Sequence, residues 1–263
     1  MSKSQNNTTT SKSKRKHFKT INGGKGLPQN FESAFEMGGN EDWHPMDRKI
    51  DNARDKKFVK NIVPRTDGQR GLMTAIEEGN LTVALGPAGT GKTYLAVAMA
   101  VEALQKGQVD RIILSRPAME AGESLGYLPG DMYEKMAPYL RPLYDVLGDR
   151  LGGKKLRQLL DDGTIEIAPI GFMRGRTLNN AFVVIDEAQN CTYQQLKMIL
   201  SRLGWHSTMV VTGDPAQSDL LNGLSGLADI AKKLNSVENI SVINLQQCDI
   251  VRHPLVAEML DVL

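Results

Sequence analysis

The sequence has few of the residues that build disulfide frameworks or transition-metal centres. It contains two cysteines, Cys191 and Cys248, and four histidines. The cysteines lack the spacing of metal ligands, and in a reducing compartment we expect both to be free thiols. The histidines are scattered along the chain. We therefore expect neither a disulfide-stapled secreted fold nor a transition-metal site.

Long apolar segments are also absent from the sequence. No run approaches the length of a transmembrane helix, and the beginning of the chain lacks the apolar segment of a signal peptide. We therefore expect a cytoplasmic protein without a membrane partner. The 263 residues suffice for one large domain or two small ones with a buried core.

Acidic residues are missing from the first 31 positions, which hold seven lysines or arginines. Few apolar residues occur there, so this part cannot bury enough surface to offset the entropy of ordering. We predict that residues 1–60 form a basic, largely disordered tail and linker, and that residues 61–263 form the folded domain. The run at 12–19 can contact nucleic-acid phosphates, with Phe18 stacking on a base. Alternatively, it only keeps the protein in solution.

The most specific signal in the chain is a complete G-x-x-x-x-G-K-[ST] motif over residues 86–93. It follows residues 81–85, an apolar run with the length of a buried strand, and precedes residues 94–104, which are rich in good helix formers. The alternative is a glycine-rich turn that only joins strand to helix. Motif and context together favour nucleotide binding by Gly86, Pro87, Ala88, Gly89, Thr90, Gly91, Lys92 and Thr93.

Phosphate chemistry accounts for the residue types in this motif. Glycines let backbone N–H groups converge on phosphate oxygens at the positive end of a helix. Lys92 would reach the β- and γ-phosphates of ATP, and the Thr93 hydroxyl would bind Mg²⁺. The expected cofactors are therefore ATP and Mg²⁺.

A second apolar strand ends in two carboxylates. Residues 182–185 are Phe-Val-Val-Ile, and Asp186 and Glu187 follow at the carboxyl end of the strand, where α/β sheets place their ligands. Asp186 would hold Mg²⁺ directly or through water, and Glu187 would be the general base that polarises the attacking water. The alternative is that the pair only caps a helix. The nearby phosphate-binding motif favours the catalytic interpretation.

Further predicted strands alternate with helices along the chain. We predict strands at residues 81–85, 111–115, 164–168, 182–185, 209–212 and 240–245, and helices at 69–78, 94–104, 132–147, 156–160, 193–203 and from Pro254. The alternation predicts an α/β fold with a mostly parallel sheet and helices on both faces. The motif at 86–93 indicates that this fold is of the P-loop NTPase class. Residues 116–131 are rich in Gly and Pro and longer than a connection requires, which indicates a functional loop.

Three polar residues have two interpretations each on spacing alone. Gln69 precedes the phosphate-binding motif, where a glutamine amide can pair with adenine, but it can equally be an ordinary exposed helix residue. Gln217 follows a strand end and would sense the γ-phosphate, or it belongs to a plain type I turn. Arg252 would contact phosphate, or it is a surface charge.

The chain resembles the PhoH family of ATPases over residues 65–262. Besides the motif at 86–93, the resemblance rests on Ser-Arg-Pro-Ala at 115–118, Glu-Ala-Gly-Glu-Ser-Leu-Gly-Tyr-Leu-Pro-Gly-Asp at 120–131, Pro-Tyr-Leu-Arg-Pro-Leu-Tyr-Asp at 138–145, Met-Arg-Gly-Arg-Thr-Leu at 173–178, Asp-Glu-Ala-Gln-Asn at 186–190, Thr-Gly-Asp-Pro-Ala-Gln at 212–217 and Asp-Ile-Val-Arg-His at 249–253. The first four of these further motifs are, taken together, specific to the family.

The resemblance implies a RecA-like P-loop core that hydrolyses ATP, acts on RNA, with helicase activity as one form of that action, and assembles into a hexameric ring. It implies that Gln69 reads adenine, that Gln217 senses the γ-phosphate and that Arg252 is an arginine finger. In a ring, Arg174, Arg176 or Arg252 would lie against a neighbour's nucleotide, so that hydrolysis would depend on assembly. The compact chain with a basic tail resembles a version from a tailed phage, which would act in the host cytoplasm.

Three functions compete at this point. The first is an ATPase that acts on single-stranded RNA. The second is a nucleotide-gated module that binds or assembles partners without moving a strand. The third is a small-molecule kinase, against which the Asp-Glu-Ala-Gln sequence argues because that pattern belongs to motor and switch ATPases. Stimulation of hydrolysis by RNA separates the first from the second.

Overall fold

A computed structural model describes residues 62–117, 132–221 and 223–251 of the chain. Six strands form one sheet within these ranges, and every neighbouring pair is parallel, in the order β3-β2-β4-β5-β1-β6. The strands are β1 (Leu81–Leu85), β2 (Arg111–Arg116), β3 (Ile165–Pro169), β4 (Ala181–Ile185), β5 (Thr208–Gly213) and β6 (Ile240–Asn244). Each lies within one residue of its expected bounds.

Helices follow most of the strands. They are α1 (Asp67–Glu78), α2 (Lys92–Gln105), α3 (Met132–Leu151), α4 (Gly153–Asp161), α5 (Tyr193–Leu200) and α6 (Leu227–Leu234), with short 3-10 turns at Ile170–Met173, Ala188–Asn190 and Gln247–Asp249. The helix expected from Pro254, like Arg252, lies outside the described residues. No helix in the described ranges is both long enough and apolar enough to cross a membrane.

The sheet is covered on both faces, which confirms the expected α/β architecture. Helices α1 to α4 pack on one face around a cluster that includes Leu72, Leu95, Leu143 and Leu156. Helices α5 and α6 and the turn Ile170–Met173 pack on the other. A parallel sheet with two covered faces has no solvent side, so its central strands consist of continuous buried runs, as in β1 and β4.

The strand order decides where the functional groups meet. Strand β5 pairs with β1 on one side and with β4 on the other. The phosphate-binding motif follows β1 and the acidic pair follows β4, so the carboxyl end of β5 lies between them. Spacing along the chain does not predict this arrangement, because strand order depends on which crossovers the whole chain can form.

Three predicted helices differ from those observed by three residues or more, and one helix was not expected. Helix α4 begins at Gly153 rather than at residue 156. Helix α3 is continuous to Leu151 despite Pro142, which is exposed while Leu140 and Leu143 on the same helix are buried. Helix α5 ends at Leu200 rather than at residue 203. Helix α6 was missed, although its buried Leu227, Ile230 and Ala231 have helical spacing.

The carboxylate of Asp249 joins the last described turn to the start of α1. It accepts hydrogen bonds from the Gln246 amide at 2.8 Å, from the Thr66 hydroxyl and from the Gly68 amide. These donors, the Gln246 amide foremost, hold the pKa of the Asp249 carboxyl below its usual range, although burial acts in the opposite direction. Asp249 therefore fastens the segment after β6 to the first helix.

We expect Asp249→Ala to lower the free energy of unfolding by about 1 kcal/mol at pH 7, because three donors lose their acceptor. A depressed folded-state pKa stabilises the protein above the unfolded pKa of 3.8 and ceases to do so as the pH falls through the folded value. Urea unfolding of both proteins should thus show a difference at pH 7 that shrinks below pH 3.8. The exposed Glu238→Ala serves as the control. A difference that does not change with pH would contradict the assignment.

Candidate nucleotide site

The phosphate-binding loop, residues 86–91, has the backbone conformation that its glycines allow. Gly86, Gly89 and Gly91 have φ angles of 141°, 86° and 86°. A Cβ at Gly86 would run into the backbone carbonyl of Leu245, and a Cβ at Gly91 would lie 3.1 Å from Gln69 Nε2. Positive φ and close neighbours together require glycine at these two positions.

Lys92 begins α2 and is buried beneath the loop. Its Nζ donates hydrogen bonds to the carbonyl of Gly86 at 2.6 Å and to that of Pro87 at 2.8 Å. Burial lowers the pKa of Lys92, while the charges of Asp214, Glu187 and Asp186 act in the opposite direction. The ammonium thus lies between the loop backbone and a group of carboxylates, in the position from which a P-loop lysine reaches phosphate.

Asp186 connects the first turn of α2 with the ends of strands β4 and β5. Its Oδ1 accepts a hydrogen bond from Thr93 Oγ1 at 2.6 Å and another from Thr212 Oγ1 at 2.7 Å. Hydroxyl and carboxylate oxygens are the ligand types that Mg²⁺ prefers, and Mg²⁺ commonly takes one or two protein ligands beside substrate phosphates and water. Thr93 and Asp186 therefore fit a magnesium ion that accompanies a nucleotide.

Glu187 projects from a strained turn directly after Asp186. It has φ 51°, in the left-handed region that non-glycine residues rarely adopt. Its Oε1 lies 3.2 Å from Arg116 Nη2, and its Oε2 accepts a hydrogen bond from Gln189 Nε2. Arg116 was not singled out from the sequence, because its motif, Ser-Arg-Pro-Ala, served only to establish the resemblance.

The end of β5 is bonded to the turn Ala188–Asn190. The Asp214 amide donates to Gln189 Oε1 at 3.1 Å, and Asn190 and Asp219 exchange two hydrogen bonds of 2.9 Å. The backbone amide of Gln217 donates a hydrogen bond to the backbone carbonyl of Asp214 at 3.0 Å, which closes the expected turn. Gln217 also borders the same cleft as Lys92, and its role as a γ-phosphate sensor stays a prediction.

Gln69 is buried, so the interpretation as an ordinary exposed helix residue is wrong. Its Nε2 donates to the Thr90 carbonyl of the loop at 2.9 Å, and its Oε1 accepts from the Arg65 amide at 2.9 Å. Both ends of this side-chain amide are hydrogen-bonded to backbone groups, one of which belongs to the loop. Adenine recognition by Gln69 stays a prediction.

The three arginine-finger candidates differ in their surroundings. Arg176 forms a two-pronged ion pair with Glu166, with N···O distances of 2.6 and 2.7 Å. These hydrogen bonds raise the pKa of Arg176. Arg174 is exposed, and no hydrogen bond or ion pair of its side chain is seen within residues 62–117, 132–221 and 223–251. Arg252 lies outside those residues.

The phosphate-binding loop, Lys92, the acidic pair and Gln217 line a cleft of about 280 Å³ at the carboxyl edge of the sheet, whereas Gln69, Arg174 and Arg176 are not among its lining residues. Its lining includes Lys92 and Thr93 from the start of α2, Asp186 and Glu187 after β4, and Gln217 after β5. No group of three or more His, Cys, Asp or Glu side chains able to hold a metal by itself occurs in the described part of the chain. The site has the size and chemistry for a triphosphate chain with its metal ion.

The sequence profile described as "PhoH-like protein" matches residues 61–263. A PhoH-like protein of Bacillus subtilis (strain 168) is 55% identical over 203 residues, which cover 77% of this chain and 64% of that protein. Protein PhoH of Escherichia coli (strain K12) is 44% identical over 230 residues, which cover 86% of this chain and 63% of that protein. The match thus spans less than two thirds of either relative.

Solved structures show a weaker likeness. The large terminase from a thermophilic bacteriophage is 12% identical, with a TM-score of 0.46 over 76% of this chain and 50% of that one. The Pif1 helicase from Candida albicans is 12% identical, with a TM-score of 0.35 over 70% of this chain and 41% of that one. These low scores support no conclusion about function.

We expect Lys92→Ala to weaken the binding of a fluorescent ATP analogue by about a hundredfold, because a buried charge-assisted contact to phosphate is lost. Lys106→Ala is the matched control, since Lys106 follows the other end of α2 and pairs with Glu102 on the same helix. Fluorescence titration in the presence of Mg²⁺ measures both affinities. Equal loss of affinity in the two variants would show that the cleft is not the binding site.

Proposed function

The chain belongs to the family of PhoH-like proteins, and we propose that it binds ATP with Mg²⁺ and hydrolyses it in the cleft between the phosphate-binding loop and strand β4. The observation that carries this proposal is the pair of hydrogen bonds from Thr93 and Thr212 to Asp186. They bring the loop, the acidic strand end and the end of β5 together around one carboxylate. Such convergence supports phosphate chemistry rather than a structural turn.

Each side chain has a defined part in this reaction. Lys92 would bind the β- and γ-phosphates, and Thr93 and Asp186 would hold Mg²⁺, which neutralises charge that develops on the phosphates. Glu187 would orient the attacking water and accept its proton. Gln217, which also lines the cleft, would contact the γ-phosphate or that water.

We expect Glu187→Gln to bind ATP as tightly as the parent protein and to hydrolyse it at least about a hundredfold more slowly, because the amide orients water without accepting its proton. Fluorescence titration gives the affinity, and phosphate release in a single turnover gives the rate. Glu238→Gln, at an exposed position after α6, is the control. Full hydrolysis by the Glu187 variant would remove this residue as the base.

We further propose that the protein works as a ring in which Arg174 reaches the nucleotide of the neighbouring subunit. Arg176 is engaged with Glu166, whereas Arg174 is exposed after the short turn Ile170–Met173 that follows β3. This proposal can be tested by mixing Arg174→Ala subunits with Glu187→Gln subunits and measuring ATP hydrolysis. Glu187→Gln subunits would supply the arginine that Arg174→Ala subunits lack, so two inactive variants would regain activity together. No recovery on mixing would exclude a finger at Arg174.

RNA is the proposed partner of the ATPase, and the basic tail supports this assignment. We expect single-stranded RNA to raise kcat about fivefold or more. The stimulation should disappear when glutamine replaces five bases of the tail, Lys12, Lys14, Arg15, Lys16 and Lys19. The control replaces the exposed Lys154, Lys155, Arg157 and Lys232 instead. If RNA changes the rate of ATP hydrolysis neither in the parent protein nor in the tail variant, a nucleotide-gated partner-binding or assembly module becomes the better description.

A further inference from the structure

Arg116 is the last residue of β2, and its side chain is 19% exposed. Its Nη2 lies 3.2 Å from Glu187 Oε1, and its Nη1 lies 4.0 Å from Asp186 Oδ2. Nη1 also donates a hydrogen bond of 3.0 Å to the backbone carbonyl of Tyr139 in α3. One guanidinium therefore contacts both carboxylates of the nucleotide site and a helix that lies outside it.

The orientation of the Glu187 carboxylate depends on few contacts. Glu187 lies in neither a helix nor a strand, and its φ of 51° is outside the regions that those elements impose. Arg116 contacts one of its two oxygens, and Gln189 contacts the other. Gln189 is itself fixed, because its Oε1 accepts the hydrogen bond from the Asp214 amide. Removing Arg116 would leave Gln189 to orient the carboxylate alone.

Arginine suits this position better than lysine. Its planar group presents several donors in fixed directions, so one side chain can bind a carboxylate and a carbonyl at the same time. An ammonium is a point charge that would neutralise one partner without fixing its plane. Arg176, by contrast, uses both of its Nη atoms to bind the two oxygens of one carboxylate, that of Glu166.

We propose that Arg116 is a positioning residue for hydrolysis: it holds the Glu187 carboxylate towards the cleft and makes the orientation of this base depend on the position of α3. The proposal rests on the ATPase activity proposed above and assigns no contact with the nucleotide to Arg116. A small displacement of a catalytic group can cost about a hundredfold in rate, which is why a second residue that fixes the base matters. A movement of α3 would change the rate through the Tyr139 carbonyl and Arg116.

The test compares Arg116→Gln and Arg116→Lys with the full-length parent protein. We expect Arg116→Gln to lower kcat by about tenfold or more, while KM and the affinity for an ATP analogue change less than about threefold. The kcat of Arg116→Lys should lie between that of Arg116→Gln and that of the parent protein. Arg202→Gln is the matched control, because Arg202 binds the carbonyls of Met198 and Arg176 and no carboxylate of the cleft. Unchanged or raised kcat in Arg116→Gln would overturn the proposal.

A double-mutant cycle with Glu187→Gln separates positioning from a general structural role. If Arg116 acts through Glu187, Arg116→Gln will cause little further loss of single-turnover rate once Glu187 is replaced. An equal loss in both backgrounds would overturn the proposal. Melting temperatures show whether each variant is folded, and if Arg116→Gln is not, the same cycle with Arg116→Lys decides. Absence of ATP hydrolysis in the parent protein would refute the proposed function itself, and this inference with it.

Discussion

One carboxylate oxygen holds the functional edge of this protein together. Asp186 Oδ1 accepts hydrogen bonds from the hydroxyl of Thr93, in the first turn of α2, and from the hydroxyl of Thr212, near the end of β5. One donor follows the phosphate-binding loop, and the other belongs to β5. The two hydrogen bonds therefore hold the loop and the end of β5 at fixed distances from the acidic end of β4. A buried carboxylate needs such donors, so the fold and the chemistry require the same contacts.

From this centre the contacts extend along the edge of the sheet in both directions. Arg116 joins the end of β2 to Glu187, and Gln189 joins Glu187 to the Asp214 amide at the end of β5. Gly213 belongs to the same sequence of contacts, because a Cβ there would collide with the Gln189 side chain and with Leu227. The ends of these strands are therefore mechanically connected through side chains rather than through the backbone ladder alone.

The features that depend on residues close together in the sequence could be predicted from the sequence. The central strands β1 and β4 are short runs of mostly apolar residues, the phosphate-binding loop is a contiguous motif, and Asp186 and Glu187 directly follow a strand, so each could be located from neighbours in sequence. The position of β5 between β1 and β4 could not, and neither could the roles of Thr212 and Gln189, because both depend on contacts between distant segments. Gln69 shows the same limit, since its burial follows from contact with Thr90, 21 residues away.

The chain directly after β6 is hydrogen-bonded to the end of β1 and to the phosphate-binding loop that follows it. The Leu245 amide donates to the Leu85 carbonyl at 2.8 Å, and the Val251 amide donates to the Gly89 carbonyl at 3.0 Å. Between these two points, Asp249 is held by the start of α1. A stretch of chain fixed in this way at three places has no slack to absorb an inserted or deleted residue. In the evolution of this family, its length should therefore vary far less than its composition.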